Sequence, residues 1–409
     1  MIAPVVNLYV HVPFCEGKCD YCGFYSVAAD AATRAAYALL PGRELAARLA
    51  AGMLPYGLAL RTLYLGGGTP GVLGAAGLRT LADGLRQAAD LRQVAEWTVE
   101  LNPASTTPGL AEALAALGGN RVSLGAQCFD DQVLRAIGRR HCAADIDAAV
   151  RAVHAAGIAN VGLDLIAALP GMSPAAWKVS IERALALEVA HLSVYALSLE
   201  PGTPLARRVA AGAAMPDAET QLAALAAAEK QLIAAGFARY EISNYARPGR
   251  ECRHNVACWS GEDYLGLGPA AASRVGRRRW TNRPDVAAYA AGFNDRNGGP
   301  AAPRSGMPAR RSALATRDAP QKRGKEKIET LDAMADVTER FVFGLRLGAG
   351  VDPEVFARRW PAAQVRLGEW RDTLAVLAAQ GVVESGATGT WRLTARGREV
   401  ADAVIRELV

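Results

Sequence analysis

Six short apolar runs, at 5–10, 61–65, 97–101, 121–126, 160–166 and 191–197, alternate with helical patterns near 33–51, 75–89, 108–117, 143–156, 174–187 and 217–235. Strands separated by helices of this length imply right-handed crossovers and a parallel sheet. Six units fall short of the eight that close a barrel. The expected fold is therefore α/β, a partial (β/α)6 TIM-like barrel over residues 1–235, open on one side to a large substrate. Residues 236–293 read as an extension of it, with a strand candidate at Tyr240–Tyr245 and a glycine-punctuated apolar run at Tyr264–Gly268. Residues 331–409 form a separate unit. Helices near 332–345, 352–359 and 362–380 lead to a two-stranded ribbon (382–384 with 390–394) and a last helix to 408, a helical, winged-helix-like domain.

Charge decides what kind of partner to expect. The chain carries a formal net charge of +6. Residues 296–327 hold nine Lys or Arg against two acids, a net of +7, so the other 377 residues net −1. The folded body is close to neutral, and no nucleic-acid partner is expected. The basic residues sit in a Gly-, Pro- and Ala-rich stretch, so 294–330 is expected to be a disordered insertion. Its rival role is docking to an acidic partner or to anionic lipid, which leaves peripheral membrane association open. No run approaches 18 uncharged apolar residues, and the first residues lack a basic signal-peptide region. The expected compartment is a reducing cytoplasm, where free thiols persist.

Cys15, Cys19 and Cys22 form a C-x3-C-x2-C run just after the first strand, which Pro13 ends. Ligand sites in α/β folds occupy that carboxyl end. Three thiolates can hold three irons of a four-iron, four-sulfur cubane and leave the fourth iron open to a small molecule. Zinc held by the three cysteines and His11 is the alternative. A disulfide fits less well with seven cysteines, an odd count. Leu65-Gly66-Gly67-Gly68-Thr69-Pro70 closes the second strand, where exposed backbone N–H and C=O groups suit the two ends of an amino acid. Glu100, Gln127 and Asp164 lie on later strands, and three polar residues facing one mouth make a site for hydroxyls, an ammonium or an adenine edge. Arg139 is either a carboxylate contact or a surface helix cation. Cys128 and Cys142 read as ordinary thiols.

Tyr9-Val-His-Val-Pro-Phe-Cys15, the three-cysteine spacing, Gly66–Pro70, Glu100-Leu-Asn-Pro103 and Gly125-Ala-Gln127 together resemble the radical S-adenosylmethionine superfamily, and most closely the branch related to oxygen-independent coproporphyrinogen III oxidase. The likeness spans about 5–293 and weakens toward the C-terminus. It implies that Cys15, Cys19 and Cys22 ligate the [4Fe-4S] cluster and that S-adenosylmethionine chelates the open iron. Gly67, Gly68 and Thr69 would bind its amino end, and Tyr9, Phe24, Glu100, Gln127, Arg139, Asp164 and Ser198 would line the rest of its site.

Two departures from the oxidase resemble the HemW-type haem chaperones instead. Phe24 stands where the oxidase has a further cysteine, and only 14 residues precede Cys15, where the oxidase has an N-terminal extension. His254-Asn255-Val-Ala-Cys258-Trp259 is similar to that family's His-Asn-x-x-Tyr-Trp haem motif, with Cys258 in place of tyrosine. The resemblance implies haem as cargo at His254, Asn255, Cys258 and Trp259, with His254 or Cys258 as the iron ligand. It implies haem-accepting proteins such as respiratory enzymes as partners, and an electron donor for the cluster. Cys252-x-His254-x3-Cys258 also has a zinc-like spacing but lacks a fourth ligand. Asp164-Leu-Ile-Ala167-Ala168-Leu-Pro170 shows Ala-Ala where the family has Tyr-Gly. No residue is assigned as catalytic. A homodimer is left open, and radical decarboxylation of coproporphyrinogen III is the alternative function.

Overall fold

The structure is a computed structural model that describes residues 5–54, 59–293, 328–386 and 389–409. Six strands, β1 Val5–Val12, β2 Ala59–Gly67, β3 Glu96–Leu101, β4 Arg121–Gln127, β5 Asn160–Ala167 and β6 His191–Ala196, run parallel in sequence order. Their period-2 alternation sends each residue type to one face. Val6, Leu8, Val10 and Val12 of β1 join Leu63, Leu65, Val99, Val122, Leu163 and Leu192 in one apolar core with the crossover helices. Asn7, Tyr9 and His11 alternate with them and face inward, beside Thr62 and Tyr64 of β2.

The crossover helices are α1 Ala31–Ala38, α2 Leu40–Ala50, α3 Gly74–Ala88, α4 Pro108–Leu117, α5 Asp131–Ala136, α6 Ala143–Ala155, α7 Pro174–Ala186, α8 Pro204–Ala210 and α9 Ala218–Ala234. Caps place several starts: Thr107, Ser173 and Thr203 each accept a backbone N–H from the first turn, and each is followed by proline at the first helical position. The single helix expected over 33–51 is two, because Pro41 in the first turn of α2 has no N–H to donate to Tyr37.

Segment 236–293 feeds both edges of the sheet. β7 Ala238–Arg239 and β8 Asn244–Ala246 lie beyond β6, while β9 Tyr264–Leu267 pairs in parallel with β1. β10 Ala272–Val275, β11 Arg278–Thr281 and β12 Glu329–Thr330 follow antiparallel. The strand expected over 240–245 is interrupted at Glu241. The Glu241 carboxylate accepts Ser243 N and Asn244 Nδ2, both at 2.6 Å, and turns the chain there. Residues 329–330 of the segment expected to be disordered are thus edge strand, and the basic stretch 296–327 lies outside the described residues.

α10 Arg253–Trp259 packs against β2, and α11 Val286–Phe293 against α2. The C-terminal unit has its own core around Phe341 of α12 Ala333–Gly344, stacked at 3.9 Å on Trp370. α13 Pro353–Arg359 and α14 Leu367–Ala379 lead to the antiparallel ribbon β13 Val383–Ser385 and β14 Trp391–Leu393, and two short helices end the chain.

Candidate functional site

The carboxyl ends of the strands surround one cavity of about 600 Å³. Its lining runs from Gly67 at the end of β2 to Tyr195 on β6. In a flat sheet those strands would stand roughly 19 Å apart, at about 4.8 Å per spacing. Glu100 and Asp164 also act electrostatically on each other across β4. The sheet therefore curves around its inner, polar face, as a partial barrel does.

Cys15, Cys19 and Cys22 all reach this cavity from the loop after β1. They are partly exposed, and they are free, as the other four cysteines are. Cys15 Sγ lies 3.6 Å from Thr69 Oγ1, and Arg139 Nη1 donates to Cys19 Sγ at 3.3 Å. Burial raises the Cys22 thiol's pKa, and the nearby Cys19 and Cys15 add to the rise, so the sulfurs lie within electrostatic reach of one another. Among the described residues no three His, Cys, Asp or Glu converge to hold a single ion. Thiols spread around one space suit the corners of a four-iron cubane, whose irons are bound one thiolate each. The donor set fits that cluster. His11 offers no zinc ligand: its Nε2 meets Tyr25 O at 2.9 Å and its Nδ1 meets Tyr9 OH at 3.1 Å. Cys252, His254 and Cys258 form no such group either.

The residues expected to line the S-adenosylmethionine site mostly meet here. Phe24, Gly67, Gly68, Thr69, Glu100 and Gln127 line the cavity, as do Arg139, Asp164 and Ser198. Tyr9 does not. It lies below, its ring 6.1 Å from Tyr64, and supports His11. The glycine turn differs from expectation in its polarity. The amides of Gly67, Gly68 and Thr69 are taken by Glu100 Oε2, Val12 O and Phe14 O at 3.1, 2.8 and 2.8 Å. What the turn can offer a ligand is carbonyl oxygen, which suits an ammonium. Glycine is required at Gly67, where φ is +103° and a Cβ would meet His11 Nδ1 at 2.5 Å.

Arg139 is no surface cation. Its guanidinium is turned inward, donating Nη2 to Gly125 O at 2.5 Å and Asn102 Oδ1 at 3.3 Å as well as reaching Cys19. Glu100 accepts Tyr64 OH at 2.7 Å, yet burial outweighs that bond and holds its pKa up at about 7. The folded chain keeps a proton there that the unfolded chain releases near 4.5, so this group costs stability as pH rises between those values. Asp164 accepts Ser123 Oγ at 3.2 Å and is likewise pushed up by burial. Gln127 holds φ +68° at a register shift between β4 and β5, strain of the kind stored at ligand sites.

Tyr64, Ser123 and Tyr195 were missed in the sequence. The signal was present: polar residues at every second position of otherwise apolar strands, such as Arg121-x-Ser123-x-Gly125-x-Gln127, mark the inward face.

The His-Asn motif lies elsewhere. His254 is 7% exposed at the amino end of the strands, its ring 5.1 Å from Tyr64 and its Nδ1 2.8 Å from Thr62 Oγ1. Glu96 accepts the backbone N–H groups of Arg253 and His254 at 2.9 and 3.1 Å and so pins the start of α10. Burial lowers the His254 pKa to about 4 and raises that of Cys258 to about 12. Trp259 faces the C-terminal unit, 5.7 Å from Phe343 and 4.4 Å from the Arg346 guanidinium. Asn255 is half-buried on the same helix.

Residues 9–184 match the model of the Radical SAM superfamily. The chain is 36% identical to a protein named Heme chaperone HemW from Mycobacterium tuberculosis, over 98% of this chain and 94% of that one. It is 31% identical to the Bacillus subtilis protein of the same name, over 98% and 100%. Its fold resembles the structure of coproporphyrinogen III oxidase (HemN) from Escherichia coli, a radical SAM enzyme. The TM-score is 0.78 at 23% identity, covering 99% of this chain and 90% of that one, a likeness of fold. No helix among the described residues is long and apolar enough to cross a membrane.

Proposed function

The chain belongs to the radical SAM superfamily and, within it, to the HemW haem chaperones; we propose that it carries haem on α10 and passes it to haem-requiring proteins such as respiratory enzymes. Cys15, Cys19 and Cys22 hold the [4Fe-4S] cluster, and S-adenosylmethionine occupies the cavity beside it. The cluster supplies one-electron chemistry to that ligand. The chain's residues bind and orient it: Glu100 and the glycine-turn carbonyls take its ammonium, and Arg139 and Asp164 its other polar groups.

One observation carries the carrier reading. Thr62, which holds His254, stands five residues before Gly67 on the same strand, roughly 16 Å away at about 3.3 Å per residue. His254 lines no part of the cavity where a radical would form, and Tyr64 and Glu100 stand between the two, which suits cargo rather than substrate. Phe24, 69% exposed at the cavity, agrees: it supplies no thiol where the oxidase has one. Since His254 is buried, α10 must part from β2 to admit an iron.

The test is an anaerobic haem titration of the cluster-loaded protein beside His254→Ala. Saturable one-to-one binding, weakened at least tenfold in the variant, is expected, with no conversion of coproporphyrinogen III. Turnover of that substrate would make the chain an oxidase and end the carrier reading.

A pH profile tests the cavity. An ammonium needs the ionised Glu100, and that form is lost as pH falls through about 7. S-adenosylmethionine binding is expected to weaken roughly fivefold between pH 7 and 6, as the ionised fraction falls from about a half to about a tenth. Calorimetry on Glu100→Gln should give a flat profile at the weak limit; a parent profile equally flat would remove Glu100 from the ammonium.

A further inference from the structure

His254 is oriented by a chain of hydrogen bonds whose direction can be worked out atom by atom. Its Nδ1 lies 2.8 Å from Thr62 Oγ1, and Thr62 Oγ1 lies 3.0 Å from Asn7 Oδ1. Asn7 Nδ2 lies 3.1 Å from the Asp263 carbonyl oxygen and 3.3 Å from Glu262 Oε2. A carbonyl can only accept, and so can a carboxylate paired, as Glu262 is, with Arg61 Nη1 at 2.9 Å. Asn7 must therefore turn its NH₂ toward them. The reversed amide would set oxygen against two acceptors. Its Oδ1 then faces Thr62 and needs a proton. Threonine has one, and it goes there. Only lone pairs remain on Thr62 Oγ1 for the imidazole, so His254 Nδ1 carries the hydrogen.

We infer that Asn7 and Thr62 are positioning residues that hold His254 as the Nδ1–H tautomer, leaving the Nε2 lone pair to be offered to a haem iron. The inference rests on the haem role proposed for His254. Nε2 makes no hydrogen bond among the described residues, so no internal donor competes for that lone pair. An N–H held by an outer partner fixes the ring and raises the ligand's basicity, and loss of such partners weakens metal binding roughly 10–100-fold. The relay ends at Asp263 and Glu262, just after α10, so the helix carrying the ligand and the anchors of its relay belong to one segment.

The tautomer can be read without haem. The chain has five histidines, so long-range proton–nitrogen NMR of the ¹⁵N-histidine-labelled, cluster-loaded protein gives few signals, and His254→Ala identifies the one that matters. A protonated Nδ1 and a bare Nε2 are expected. Thr62→Val removes the acceptor, and Thr62→Ser restores it. The valine variant should lose the Nδ1–H preference and bind haem roughly 10–100-fold more weakly, with serine close to the parent in both. A bare Nδ1 in the parent overturns the inference whatever haem does, and the parent alone decides this even if the valine variant does not fold. Haem binding unchanged in His254→Ala overturns the haem role and leaves the tautomer signal intact, so the two failures are told apart.

Discussion

Replacing Cys15, Cys19 or Cys22 singly by serine is expected to take bound iron from about four per chain to near none. The magnitude follows from the ligand count. Three thiols reach the cavity, and on the proposed reading the fourth iron would be left to the small-molecule ligand. No other cysteine can take over. Cys128 and Cys252 are buried in other parts of the fold, while Cys142 starts α6 and Cys258 lies on α10. Cys19 should be the most sensitive, because its sulfur alone of the three accepts from Arg139, at 3.3 Å. Iron and labile sulfide analysis after anaerobic reconstitution reads the result. Phe24→Ala, an exposed side chain on the same cavity, should keep its iron. Full iron in Cys19→Ser would remove that thiol from the ligand set. Haem binding by the cluster-free variants would then show whether cargo and cluster are independent, as the absence of His254 from the cavity lining implies.

The parallel sheet was legible because its code is local. Each of the six strands is a short apolar run, and the capping residues Thr107 and Ser173, each with a following proline, stand where the helices near 108 and 174 are expected to start. The cluster loop was legible because three cysteines so close in sequence must stay close in space. What escaped were features set by distant partners. Arg139 looks like any helix-end arginine until Cys19, Asn102 and Gly125 are brought to it across as many as 120 residues. The amides of the glycine turn look free until Val12, Phe14 and Glu100 take them. Tyr9 belongs to the expected motif, yet the register Tyr9↔Tyr64 sets it a full pleat below the cavity. The segment 236–293 reads as an extension of the barrel, but that it extends both edges shows only in the pairing of β8 with β6 and of β9 with β1.

The largest loss of stability is expected from Arg340→Ala, about 3–5 kcal/mol, the range for breaking a buried, hydrogen-bonded ion pair by removing one partner. Arg340 is 2% exposed at the joint between the sheet and the C-terminal unit. Its Nε donates to Asp336 Oδ1 at 3.0 Å, and its Nη2 donates to Asp263 Oδ1 at 3.3 Å and Gly276 O at 2.8 Å. Its Nη1 donates to Gly261 O, and the guanidinium lies 4.2 Å from the Trp360 ring. Alanine would leave Asp336 to Arg274 alone and strip two carbonyls of their donor, in a place water reaches poorly. Asp336 and Trp360 belong to the C-terminal unit, and Gly261, Asp263 and Gly276 to the sheet extension. The variant should therefore melt in two steps, with the C-terminal unit parting first. Asp263 also supplies the carbonyl that orients Asn7, so the same variant should blunt the Nδ1–H preference of His254 before the sheet itself unfolds. Urea unfolding followed by tryptophan fluorescence, beside exposed Arg92→Ala as a neutral control, measures the loss. A single transition within about 1 kcal/mol of the parent would mean that Arg340 is dispensable to the joint, and that the Arg274–Asp336 pair and the apolar contacts hold the C-terminal unit to the sheet without it.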